Sequence, residues 1–157
     1  MQTGDIIFFK ASKGILSRAI SALTNSPYTH VAIALDDKYV LEADRFMKSR
    51  IRPIRVDAEI HSVFRVPNLE QRQMEAMKIL IKNHEGYSYD YLQVFNWFVY
   101  LLTGWDVPLS NRVNKLICSE LVDYILYYSD VPRNTKYPLG DILPTMLTEA
   151  YDMEQIL

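Results

Sequence analysis

Apolar positions fall into short runs up to about residue 66 and into helical repeats beyond it. Gly4-Asp5 has the form of a turn. It is followed by the run Ile6 to Phe9, which predicts a strand. From Lys13 to Thr24, Ile15, Leu16, Ala19, Ile20 and Leu23 recur at helical spacing and predict an amphipathic helix, broken by Asn25-Ser26-Pro27. His30 to Leu35, rich in small and β-branched residues, predicts a strand. Asp36-Asp37 predicts a hairpin turn, and Lys38 to Ala43 the returning partner. Ile51 to Val56 and Ser62 to Val66 predict two more strands. Pro53 cannot donate to a sheet ladder, so the first belongs at an edge or a bulge.

After Pro67 the period changes. Asn68 with Gln71 three residues on resembles a capping box, and Met74, Met77, Ile79, Leu80 and Ile81 form the repeat of a helix that Gly86 ends. Tyr89 to Thr103 predicts a second, strongly aromatic helix stopped by Gly104. Polar Asn111 to Asn114 leads through Leu116 and Ile117 into a third, Cys118 to Tyr128, ending before Pro132. Pro138-Leu139-Gly140-Asp141 predicts the opening of a short final helix. Strands first and helices later imply an α+β fold, an antiparallel sheet packed against helices. With no linker, low-complexity run or internal repeat, one domain spanning 1–157 is expected.

Composition narrows the function classes. Apolar residues make up 49% and charged residues 23%, as in ordinary globular proteins. A net charge of -2 provides no general field to recruit nucleic acid. The single cysteine, Cys118, forms no intramolecular disulfide, which fits a reducing compartment. The opening Met1-Gln2-Thr3-Gly4-Asp5 has neither a basic nor an apolar signal region. The most apolar stretch, Val94 to Leu102, is far shorter than a membrane span, which takes about 20 residues. A cytoplasmic location is therefore expected, unless the chain is the processed form of a longer precursor. Paired Cys or His spacings, Walker loops and dinucleotide glycine patterns are all missing, so no metal and no cofactor is expected.

Cys118 stands where a polar loop becomes a helix. Unpaired N–H groups and the helix dipole there favour a thiolate, the attacking form of the side chain, and could also hold an oxyanion. The alternative is a core cysteine, since Leu121, Val122 and Ile125 follow it at i+3, i+4 and i+7. His30, at the start of an apolar strand, is placed to act as general base to a thiol, or else caps the strand end. His61 and His84, among charged and polar neighbours, are poorer candidates. Glu42 interrupts the apolar stretch Tyr39 to Ala43. Through the hairpin it could orient His30 as the third member of a triad, or simply face solvent. Arg45, Lys48, Arg50, Arg52 and Arg55 form a basic stretch, read first as a solvated strand and loop and second as a rim attracting carboxylate or phosphate groups. The aromatic residues Tyr89, Tyr91, Phe95, Trp97, Phe98 and Tyr100 are read as core, with an acyl or lipid pocket as the alternative.

In order along the chain, Gly4-Asp5-Ile6-Ile7-Phe8, Tyr28-Thr29-His30-Val31-Ala32-Ile33, Leu41-Glu42-Ala43 and Cys118-Ser119-Glu120-Leu121-Val122 closely resemble the circularly permuted NlpC/P60 papain-like cysteine hydrolases of the YiiX/YaeF-like group. In that group the histidine strand and the acidic residue precede the cysteine helix, as they do here. Thr29-His30 stands where the family commonly has Ser-His. The resemblance covers Gly4 to about Tyr128. It implies Cys118 as nucleophile, His30 as base and Glu42 as the orienting residue, acting on a peptide-type substrate, a cell-wall peptide or another short amide. Two alternatives accompany it. One is a lipid acyl hydrolase or acyltransferase of the lecithin–retinol acyltransferase type, whose second histidine would stand where Glu42 does. The other is a non-catalytic binding module of the same fold.

Overall fold

The computed structural model describes residues 1–14, 17–18, 21–22, 26–43, 48–89, 115–116 and 118–157. Six strands form one antiparallel sheet: β1 (Ile6–Lys10), β2 (Tyr28–Ala34), β3 (Tyr39–Glu42), β4 (Arg50–Pro53), β5 (His61–Arg65) and β8 (Glu154–Gln155), in the order β4-β3-β2-β1-β5-β8. A separate parallel pair joins β6 (Ser88–Tyr89) to β7 (Lys115–Leu116). The helices are α1 (Gln71–Asn83), α2 (Cys118–Tyr128) and α3 (Met146–Ala150). Among the described residues no helix is long and apolar enough to cross a membrane.

The α+β fold expected from the sequence is present, and the central strands explain their own hydrophobic runs. Both faces are buried along Ile6 to Phe8 of β1 and Val31 to Ala34 of β2. Ile6, Phe8, Val31, Ile33 and Leu41 pack with Met77 and Ile81 of α1 and with Leu121, Val122 and Ile125 of α2. On the other face Ile7, Ala32, Ala34, Val40 and Val63 form a smaller cluster with Met1, Phe9, Ile54 and Val56. A strand buried on both faces reads as a continuous apolar run. The hairpin falls where Asp36-Asp37 placed it, with the Asp36 carboxylate accepting from the N–H groups of Lys38 and Tyr39 at 2.8 Å each. β4 is an edge strand, as Pro53 requires. It is shorter than expected, closing at Pro53 rather than Val56.

Three expectations are corrected. The capping box lies two residues later, where the Glu70 N–H donates to Gln73 Oε1 at 2.9 Å; Asn68 takes a left-handed φ of 57° in the turn before the helix. Tyr89 closes a short strand instead of opening a helix. Pro138 to Asp141 does not open the last helix, which begins at Met146; Gly140 there has φ of 82° and donates its N–H to the buried Asp123 carboxylate at 2.8 Å. The structure also adds β8, which is too short and polar to carry a periodic signal. Of the helix placed at Lys13 to Thr24, Lys13 and Gly14 lie in a bend before it rather than in its first turn, and 17–18 and 21–22 are helical. The rest of it, and nearly all of the aromatic helix Tyr89 to Thr103, lie outside the described residues.

Candidate active site

β2 carries His30, β3 carries Glu42, and α2 opens on Cys118. In register, Ala32 faces Glu42 and His30 faces Phe9 of β1. Residues two apart share a strand face, so His30, Ala32 and Glu42 lie on one side of the sheet, with Glu42 diagonal to His30. His30 Nε2 is 3.7 Å from Glu42 Oε2. At that separation the contact is electrostatic rather than a full hydrogen bond. The His30 ring also lies against Phe9, with centroids 5.0 Å apart.

Cys118 reaches this group from the other side of the sheet, where it packs with the helical core. An open strand edge makes the meeting possible. Ala34 engages the Gly4-Asp5 entry to β1 through its N–H and C=O, whereas the N–H of Leu35 engages Tyr39. Alternation then turns the N–H of Val31 toward the β3 side. Among the described residues, pairing with β3 runs from Ala34 back to Ala32. The Val31 N–H is thus left to donate to the Cys118 sulfur, as does the N–H of Ser119 in the first turn of α2.

Burial pushes the Cys118 thiol up. The charge and hydrogen bond of His30, together with the Val31 and Ser119 amides, more than offset this, and the net effect holds the thiol below its ordinary value. Burial also pushes the Glu42 carboxyl up. His30, Arg52 and Arg50 outweigh that and hold it well below the usual carboxylate range.

Cys118, His30 and Glu42, named from the sequence, are therefore brought together. Arg50 and Arg52, read first as part of a solvated strand, belong beside them. Arg52 grips Glu42 with Nε on Oε1 at 2.6 Å and Nη2 on Oε2 at 2.8 Å. Arg50 adds Nε and Nη2 on Oε1 at 3.1 and 2.9 Å. Their spacing of two on a strand pairing with the Glu42 strand was the available signal. His61 lies on the far side of Phe9, with centroids 4.7 Å apart, and its Nδ1 accepts from the Asp57 N–H at 3.0 Å. Burial lowers its pKa. His84 caps the end of α1, its Nδ1 2.8 Å from the Leu80 carbonyl. Both are engaged in local structure. Among the described residues no three His, Cys, Asp or Glu side chains converge as a metal site would require.

No family model matches the sequence, and no curated protein matches it. Among solved structures, the chain is similar to the crystal structure of the metalloprotein YiiX from Escherichia coli O157:H7, with a TM-score of 0.68 and 21% sequence identity, over 99% of this chain and 96% of that one. The likeness to the YiiX group read from four short motifs thus extends over the whole described architecture, and the chain has the fold of YiiX.

Proposed function

We propose that the protein is a cysteine hydrolase that cleaves amide bonds of a small peptide-type substrate, with Cys118 as nucleophile, His30 as acid and base, and Glu42 as the charge that steadies His30. The observation that carries this reading is the Cys118–His30 pair: a buried thiol held toward its ionised form by an imidazole and two backbone amides. A cysteine that served only the core would have burial alone acting on it, and its pKa would rise.

In the first half-reaction the Cys118 sulfur bonds to the substrate carbonyl carbon, and the carbonyl electrons move to oxygen. The tetrahedral intermediate collapses, the C–N bond breaks, and the imidazolium proton of His30 passes to the leaving nitrogen. In the second, neutral His30 takes a proton from water as its oxygen attacks the thioester. The C–S bond breaks, releasing the carboxylic acid and restoring the thiolate–imidazolium pair.

YiiX is described as a metalloprotein. The described residues of this chain do not fit a metal. The carboxylate nearest His30 has both oxygens covered by the Arg50 and Arg52 guanidinium groups, which repel a cation.

The test is incubation with a panel of short peptide amides and, separately, with phospholipid vesicles, followed by mass spectrometry of the peptide containing Cys118. An acyl group on Cys118 from the amide panel is the expected result. Acylation from phospholipid alone would replace the amide reading with a lipid one, and acylation from neither would support the binding-module alternative.

A further inference from the structure

The Glu42 carboxylate is almost wholly buried, with its side chain 3% exposed, and four guanidinium N–H groups reach its two oxygens. His30 stands farther off than any of these, at 3.7 Å. A simple triad would have the carboxylate aimed at the imidazole with little else competing for it. Here one negative charge is shared among an imidazole and two permanent cations.

Building on the proposed Cys118–His30 pair, we propose that Arg50 and Arg52 are positioning residues that act through Glu42. By taking up both carboxylate oxygens they hold Glu42 at electrostatic distance from His30 and limit how strongly it can favour the imidazolium.

Both arginines reach the same carboxylate. Arg50 and Arg52 are two residues apart on β4, so they project from one face. In register Arg50 lies directly opposite Glu42 and Arg52 opposite Val40, diagonal to it; both guanidinium groups reach Oε1, and Arg52 alone also reaches Oε2. Among the described residues, the ionisable groups facing His30 are Cys118 from α2, Glu42 from β3 and, behind Glu42, Arg50 and Arg52 from β4. β1 presents the apolar Phe9, with His61 of β5 beyond it. The sum over Glu42 and the two arginines is one net positive charge. A cation next to the pair lowers the pKa of the thiol and of the imidazole alike; a lone carboxylate raises both.

The two roles available to these arginines predict shifts of opposite sign. If they limit the field of Glu42, removing one leaves the carboxylate less neutralised, and the pH at which Cys118 becomes reactive rises. If they only hold Glu42 in place, removing one lets it drift from His30, and the pH falls as it would in Glu42→Gln. The experiment is the rate of Cys118 alkylation by iodoacetamide against pH, which needs no substrate, in the wild type and in Arg50→Gln, Arg52→Gln and Glu42→Gln. The expected inflections move up by about half a pH unit or more in each arginine variant and down in Glu42→Gln. Arg50→Lys and Arg52→Lys keep the charge without the fork, and should lie close to the wild type even if a glutamine variant folds poorly. A depressed wild-type inflection with arginine variants unshifted or shifted down overturns the inference alone. A wild-type inflection at the ~8.5 of a free cysteine overturns the Cys118–His30 pair and the inference with it.

Discussion

Cys118→Ala and His30→Ala are each expected to remove nearly all turnover of any substrate that acylates the protein, by roughly 10³-fold or more, and the double variant is expected to be scarcely worse than either. In the proposed mechanism the thiol and the imidazole work as one unit. Without the sulfur no thioester forms. Without the ring the thiol loses the largest influence opposing its burial, and neither the leaving nitrogen nor the incoming water has a proton partner. Glu42→Gln should be milder, because it changes the field on His30 without removing a group that touches the reacting atoms. Steady-state rates of the purified variants check this. Near-normal turnover by His30→Ala would exclude it as the base, and additive losses in the double variant would mean that the two residues act separately.

Asp123→Ala is expected to destabilise the fold by about 3–5 kcal/mol, the range for breaking a buried ion pair by removing one partner. Asp123 is fully buried in α2 and accepts from Arg133 Nε and Nη2 at 2.8 and 3.0 Å, from the Tyr151 hydroxyl at 2.6 Å and from the Gly140 N–H at 2.8 Å. Arg133 is itself only 9% exposed, so its charge would be left buried without its carboxylate partner. Burial and the Asp123 charge hold the Tyr151 hydroxyl far above its ordinary pKa, which keeps it a donor. The effect bears on function because the same helix begins at Cys118. Urea denaturation midpoints provide the check. Arg72→Ala is the control: it breaks contacts to Glu70 and Asp130 that are as short, but exposed, and it should leave the midpoint nearly unchanged. A loss below about 1 kcal/mol for Asp123→Ala would contradict this account of the network.

Elements whose signal is local were legible in the sequence. α2 spans Cys118–Tyr128 as expected, since a polar lead-in, an apolar period and a downstream proline all act within the segment. The hairpin at Asp36-Asp37 is set by an aspartate bonding its own turn. Departures occur where distant contacts win. Gly140 turns away from helix because its N–H serves Asp123, far back in the chain. β8 exists only because Glu154 and Gln155 find the edge of β5.

The candidate site divides in the same way. His30 and Glu42 are joined by one short hairpin, so their approach could be read from the turn. Cys118 is remote in sequence, and only the packing of α2 against β2, together with the early end of β3, brings it to Val31 and His30. The grip of Arg50 and Arg52 on Glu42 depends on the β3–β4 register, which composition does not reveal; a run of basic residues reads as a solvated face until that pairing is known.

The measurement that bears most directly on the Cys118–His30 pair is the pH dependence of Cys118 alkylation in the wild type and in His30→Ala. The expected result is an inflection clearly below the ~8.5 of a free cysteine in the wild type, moving upward once the imidazole is gone and burial acts with less opposition. A wild-type thiol that titrates at or above the ordinary value, or one unaffected by the loss of His30, would contradict the claim that these two residues form a reactive pair.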